Sequence, residues 1–563
     1  MDRRTFLAIF ISLIIVLVWH LVFGQRATPP QKAAPPAATA PIAQVPKAEI
    51  PMEGQPATAA PELQSLVAEQ ADQALQELNI RTPLYNATLT NKGARLKSWL
   101  LQEYYVYIPQ NGDWWELTKN KLLGRYQKRP LEMVSAEALS LERYPLGLRF
   151  EDEQLTQRVN NAIWRVEDAR TAVTPSHPAQ VKLSYSDPSG LKLTKTFTFP
   201  ADNYKPQITI GVENISDTKR QLKYYLTWDY SLGKESAEGN DHSYSGPVYL
   251  EGESLTQPKV KDITEPFKHQ GAISWAGLQD AYFAALFIPQ EVTSELLVQK
   301  DGAGRLNLGL SPPAAELAPN QQISHKFDVY AGPQKEENLK LAGHDLDKIV
   351  DYGWFAILAK PLKEALKFFN SFTGNYGIDI IVLTIISKLI FWPLTASSFK
   401  SMQAMQQVQP KMAQLRKKYK DDPQTLNREI MELYKKHKVN PLGGCMPMLL
   451  QIPVFFALYK VLMVSIELRH APFLPVWITD LSSHDPIFIL PVLTGASMFL
   501  QQKMTPSTGD PAQATIMMRM PLIFTFMFLK FPSGLVLYWF VNNLLTIWQQ
   551  YLNQKKNGSP AEA

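Results

Sequence analysis

Three patterns of apolar and polar positions follow one another along the chain. The first is an unbroken apolar run: after Met1-Asp2-Arg3-Arg4, residues Phe6 to Phe23 are almost wholly apolar, near the length that spans a hydrocarbon core of about 30 Å. A cleavable signal peptide carries an apolar segment of roughly 7–15 residues and a small-residue cleavage site. Gly24-Gln25-Arg26 offers no such site, so the reading is an uncleaved transmembrane anchor over 1–24. The second pattern has period two. Leu191, Leu193, Phe197 and Phe199 recur at even spacing, and Ile208, Ile210 and Val212 alternate with Thr209 and Gly211. Further runs at Ala281–Pro289, Arg305–Leu310 and His325–Tyr330 are bounded by Gly, Pro or Asp. That predicts a large all-β sandwich over 81–335.

The third pattern, from Leu346 onward, is helical. Trp354, Leu358, Leu362, Leu366 and Phe369 fall on one face and Lys360, Lys363 and Lys367 on another, the arrangement of an amphipathic helix lying in the membrane interface over 346–370. Pro361 is expected to kink or divide it; the alternative is a helix packed on the sandwich core. Five apolar runs follow, Ile378–Pro393, Pro441–Ile466, Pro486–Gln502, Thr515–Phe531 and Leu535–Tyr551. The fold class is therefore a polytopic α-helical membrane protein with six transmembrane helices, five of them within 371–553, and a large all-β domain. Between the first two of the five, Met405, Val408, Met412, Leu415 and Tyr419, then Leu426, Ile430 and Leu433 after Asp421-Asp422-Pro423, predict an antiparallel helical hairpin over 400–440.

Composition and charge add orientation. The chain has 563 residues and 42 prolines, and prolines at 41, 46, 51, 56 and 61 mark 25–80 as an extended Pro/Ala-rich tether with nothing to build a core. A net charge of +5 is modest, so placement matters more than the total. Lys400 to Lys438 holds ten Lys or Arg against four acidic residues, which puts the hairpin in the cytoplasm. Arg3 and Arg4 do the same for the N-terminus, and six spans return the C-terminus and its short tail, 554–563, to that side. Glu467 to Asp485 shows no such surplus and is placed outside.

Chemistry is sparse. One cysteine, Cys445, excludes an intramolecular disulfide. His177, His242, His269 and His325 lack metal-ligand spacing, and no HExxH, GxSxG or GxxxxGK pattern occurs. The reading is a non-enzyme with no cofactor and no metal. An ion-coupled transporter would carry membrane carboxylates or inverted repeats. A glycan-processing enzyme would keep paired carboxylates in the β region, which one sequence leaves open.

Within the apolar runs, polar residues keep to single faces: Thr384, Ser387, Lys388 and Thr395; Thr494, Ser497 and Gln501; Tyr538, Asn542, Thr546 and Gln549. Each stripe alone is more often helix-helix glue. Lys388 shifts the balance, because a lysine inside a span costs roughly 2.5–3.5 kcal/mol on insertion scales. Its side chain leans toward the helix N-terminus, away from the nearby cytoplasmic edge, and the only carboxylate noted in the runs is Asp379, roughly 13 Å away along the axis.

The stretches NYGIDIIVLTIISKLIFWPLT from Asn375, NPLGGCMPMLLQIPVFFALY from Asn440, PFLPVWITDLS from Pro472 and FPSGLVLYWFVNNLLTIWQQ from Phe531 resemble the YidC insertases. The resemblance implies a membrane insertase and chaperone of the bacterial inner membrane with a periplasmic β-sandwich. It would insert and fold integral membrane proteins, alone or with the Sec translocon, through a hydrophilic groove carrying one positive charge, without nucleotide hydrolysis. Implied partners are nascent membrane proteins, the Sec translocon, the ribosome through the hairpin, and lipids, with no small-molecule substrate. The groove charge, commonly arginine in the family, matches Lys388. Thr384, Ile452, Phe455, Tyr538 and Trp539 match substrate-contact positions, and Ser387 lies beside Lys388 on the same stripe.

Overall fold

The computed structural model describes residues 74–556 apart from 109–126, 234–243, 292–293, 421, 438–445 and 505–510. The expected anchor, most of the tether, His242, Cys445 and the end of the tail lie outside the described residues.

Period-two sequence becomes an antiparallel β domain. Its largest sheet has nine strands in the spatial order Ser254–Thr256, Gly246–Glu251, Ile273–Gln279, Phe283–Pro289, Gln322–Pro333, Gln207–Asn214, Leu191–Phe199, Ala179–Asp187, Arg165–Arg170. A five-stranded sheet runs Phe267–Gly271, Ser294–Lys300, Leu306–Ser311, Tyr224–Asp229, Gly147–Phe150, and both sheets feed one apolar core that includes Leu193, Trp275, Leu296 and Leu308. A four-stranded sheet opens the domain at Glu77–Arg81, inside the stretch expected to be tether. Two short helices, α1 (Ala136–Ser140) and α2 (Glu153–Asn161), interrupt the strands.

Strand Leu191–Phe199 shows how register was legible and where a surprise lay. Leu193 faces Tyr185 and Val212 on its neighbours, and Phe197 faces Val181 and Ile208. The buried face carries one residue that the apolar pattern skipped, Lys195, which has no exposed surface. Its Nζ donates to the carbonyls of Gly93 (3.2 Å), Ala94 (3.0 Å) and Leu146 (2.7 Å) and lies 5.3 Å from the centre of the Trp164 ring. Three acceptors match the three N–H bonds of an ammonium, so the charge staples three segments of the domain. Of the scattered histidines, His269 pairs with Glu251 at 2.9 Å and His325 with the Tyr224 hydroxyl at 2.8 Å.

Helix α3 (Glu336–Ala342) leads out of the β domain. The amphipathic segment is two 3-10 turns, Leu346–Ile349 and Gly353–Phe355, followed by α4, Ala356–Thr373. Pro361 lies inside α4 without dividing it, although it removes the backbone bond to the Ile357 carbonyl. The face assignment needs correction. The exposed apolar residues are Trp354, Ile357, Leu358, Phe368 and Phe372, so Trp354 and Leu358 keep to one exposed face, while Ala359, Lys363 and Leu366 are buried. Lys363 thus belongs to the packed face, because acidic residues from elsewhere in the fold meet it there.

Five helices match the five apolar runs: α5 (Tyr376–Ile390), α8 (Met446–Val464), α9 (Ile489–Met504), α10 (Pro511–Phe528) and α11 (Ser533–Lys556). Helix α11 continues into the expected tail. The hairpin is α6 (Trp392–Lys418) against α7 (Pro423–His437), closed by Val408 and Met412 with Leu433 and Tyr434. Its first arm starts earlier than 400 because α6 is joined to α5 through Phe391 alone, with a 62° bend. Pro393 sits in the first turn of α6, where its fixed φ starts one helix and its missing N–H ends the other.

Among the described residues no single helix is long and apolar enough to cross a membrane, and the bent pair α5 and α6 passes that test together. The 15 residues of α5 rise only about 22 Å at 1.5 Å each, and the apolar runs contain Lys388, Lys460, Arg519 and Lys530, which lower their hydropathy.

Candidate functional site

The site is built along α11. Helix α5 is fixed at its start by Asn375, whose side chain accepts from the Gly377 and Ile378 amides and donates to the Phe473 carbonyl at 3.0 Å. Asp379, fully buried in its first turn, accepts from Thr373 (2.5 Å) and Asn370 (2.9 Å) of α4. A carboxylate there also suits the positive end of the helix dipole, so Asp379 is engaged at the N-terminus of α5 and far from Lys388.

Ile380, Leu383, Thr384 and Lys388 form the buried face of α5, and Ile385, Ile386, Leu389 and Ile390 point outward. The spacing of three and four explains the split. Gly534 lets α11 come close: a Cβ there would lie 2.9 Å from a Leu462 methyl and 3.2 Å from an Ile380 methyl. Thr384 and Ser387 return their hydroxyls to their own helix, at Ile380 O (2.6 Å) and Thr384 O (2.9 Å). Lys388 reaches across to α11, donating to Thr546 Oγ1 at 2.6 Å, while Thr546 donates to Asn542 O at 2.7 Å. Lys388 is 8% exposed. Among the described residues it has no carboxylate partner, so two of its three N–H bonds have no protein acceptor there.

The other stripes meet the same helix. Gln549 donates to Thr395 Oγ1 of α6 at 2.8 Å, Asn543 to Ser497 Oγ of α9 at 3.2 Å, and Gln550 to Met504 O at 2.6 Å. On the next face, about 100° round from Tyr538, Trp539 meets Phe455 of α8 edge-on (5.0 Å, 86°) and Phe524 and Phe528 of α10 (6.0 and 5.6 Å). Gln451 donates to the Tyr538 hydroxyl at 3.2 Å, one residue before the half-buried Ile452.

The expected site residues therefore fall into two sets sharing α11. Lys388, Thr384 and Ser387 lie on the polar seam with α5, Phe455 and Trp539 lie at the aromatic contact with α8 and α10, and Tyr538 meets α8 through Gln451. Ile452 stands on α8 next to this second set. Gln451, Asn543 and Gln550 were missed. Each is a polar residue in an apolar run, a signal that was available, but Asn543 and Gln550 sit one position off the stripe that was chosen.

Comparison with known proteins finds relatives over nearly the whole chain. Residues 77–365 match the family model of the YidC periplasmic domain, and 368–559 match that of the 60Kd inner membrane protein. The membrane protein insertase YidC of Geobacter sulfurreducens is 42% identical over 471 residues, covering 84% of each chain. That of Syntrophus aciditrophicus is 38% identical over 569 residues, covering 99% of this chain and all of the relative. A crystal structure of an active YidC insertase with its first transmembrane domain resolved aligns at 18% identity and a TM-score of 0.36, covering 85% of this chain and 93% of the other.

Proposed function

Since this chain belongs to the YidC family of membrane protein insertases, we propose that it inserts proteins into the bacterial inner membrane by holding a client's translocated charge at Lys388. The observation that supports this reading most is a nearly buried ammonium on a polar seam, with one neutral partner and no carboxylate among the described residues. A client span enters lipid favourably, but its flanking acidic tail must be stripped of water at several kcal/mol per charge. A wet seam reaching part-way through the bilayer shortens that path. Lys388 holds the tail's carboxylate briefly, and Thr384 and Ser387 keep the seam polar. The client's apolar segment then slides over Ile452, Phe455, Tyr538 and Trp539 into lipid. No step needs nucleotide hydrolysis or covalent chemistry.

In this reading six spans cross the membrane, α5 being completed by its bend into α6. Both termini and the hairpin are cytoplasmic, and the β domain is periplasmic. The hairpin, basic and packed on a small apolar core, receives ribosomes and nascent chains, while the Sec translocon hands over other clients. Activity belongs to the protein alone, which gives the test. Purified full-length protein in proteoliposomes, with no nucleotide present, should protect the translocated tail of a single-span client from added protease. Protection equal to that of empty liposomes would end the proposal.

A further inference from the structure

The outer end of α8 runs into a 3-10 turn, Ile466–Leu468, whose successive side chains go to different places. Ile466 enters the β-domain core and Leu468 the core of the helices. Between them Glu467 lies 3.6 Å from Lys363 and 3.4 Å from Lys367 of α4. Those lysines also reach α3, Lys363 to Glu336 at 3.3 Å and Lys367 to Glu337 at 2.5 Å. Next comes Arg469, which donates to Tyr105 O at 3.2 Å and lies 5.9 and 5.5 Å from the ring centres of Tyr282 and Phe283 in the β domain. The turn is braced from behind: the His470 amide donates to Asp480, the Leu481 amide to Ala471 O, and Ser533, at the start of α11, to Asp480 O.

We propose that Glu467 and Arg469 are positioning residues of a joint, Glu467 setting α4 and Arg469 setting the β domain against the outer end of α8. Side chains of both cores meet within one turn, so the two bodies share a single backbone segment. Glu467 lies between two lysines that Glu336 and Glu337 tie to α3, and it ties the same two lysines to the outer end of α8. Neutralising Glu467 leaves Lys363 and Lys367 paired with α3 and breaks the tie of α4 to the end of α8, whereas a carboxylate kept at this position preserves it. Arg469 satisfies a strand carbonyl and covers two aromatic faces, a combination that fixes direction as well as contact.

The test uses the full chain in bilayers with Cys445→Ser and paired spin labels. Lys326→Cys with Val476→Cys reports the β domain, and Lys360→Cys with Val476→Cys reports α4; all three positions are exposed. Both pairs should give one narrow distance. Arg469→Gln should broaden the first pair alone, with Arg469→Lys largely restoring it. Glu467→Gln should broaden the second pair and lower insertion, and Glu467→Asp should largely restore both. The insertion readout rests on the proposed function, whereas the distances do not, so the two ideas fail separately. Narrow distances in both single variants would overturn the joint. So would an insertion loss in Glu467→Gln with the α4 distance unchanged, or an α4 distance as broad in Glu467→Asp as in Glu467→Gln.

Discussion

Charge reversal at Lys388 separates an electrostatic role from a structural one. A carboxylate about 4 Å from an ammonium gains about 1 kcal/mol in water and about 4 kcal/mol at an effective dielectric constant near 20. Lys388 is 8% exposed, so its surroundings fall between these limits. Lys388→Ala should slow insertion of a client with an acidic tail between about fivefold and about a thousandfold, at tenfold per 1.36 kcal/mol. Lys388→Glu reverses the sign of the same interaction and should block it. It also gains nothing locally, because the Thr546 hydroxyl already donates to Asn542 O and a glutamate would have to break that bond to find a donor. Lys388→Arg keeps the charge and can still donate to Thr546 Oγ1, so it should insert near the wild-type rate. The assay is protease protection of the client's tail, repeated with the client's Asp and Glu neutralised, when all variants should converge. Wild-type insertion of the acidic client by Lys388→Glu would refute the electrostatic role. Equal failure of every client would assign Lys388 to folding or to seam hydration.

Three further outcomes are expected. Deleting most of 81–333 should leave insertion largely intact provided the anchor, α3 and α4 remain, because the seam and the Glu467 contacts lie outside the deletion; a membrane-integrated deletion that no longer inserts would contradict this. Deleting Lys411–Lys436 removes most of the packed hairpin and should abolish function with the spans still integrated; normal growth of depleted cells on that variant would mean the hairpin is no docking site. Burial, with Arg469 beside it and Asp480 opposing, holds the His470 imidazole down to about 4 against 6.5 when free. The fold therefore keeps it neutral, and the associated stability is complete above about pH 6.5 and lost as pH falls toward 4. Amide protection across 466–485, after division by the intrinsic exchange rate at each pH, should fall as the pH drops from about 7 to 5, and His470→Asn should flatten that response; an unchanged pH response in the variant would clear His470.

What the sequence disclosed and what it withheld divide along one physical line. Periodicity fixes which residues share a face, so the strands around Leu193, the hairpin around Val408 and the stripe from Tyr538 to Gln549 could be read directly. It does not fix what a face meets. Lys363 looked like part of a solvated lysine face because its partners, Glu336 and Glu467, come from segments 27 residues before and 104 residues after it along the chain. Lys195 fell out of an otherwise apolar strand face for the same reason, since its carbonyl acceptors at Gly93, Ala94 and Leu146 leave no mark in side-chain patterning. Lys388 was found because an apolar run offers a lysine no solvent, and its site demanded explanation before any partner was known. The three lysines differ in what compensates them: carbonyls for Lys195, carboxylates for Lys363 and a single hydroxyl for Lys388. A buried charge left with the weakest of these partners is the one most able to bind a passing anion, and on that ground the client's carboxylate is proposed to sit at Lys388 and not at Lys195 or Lys363.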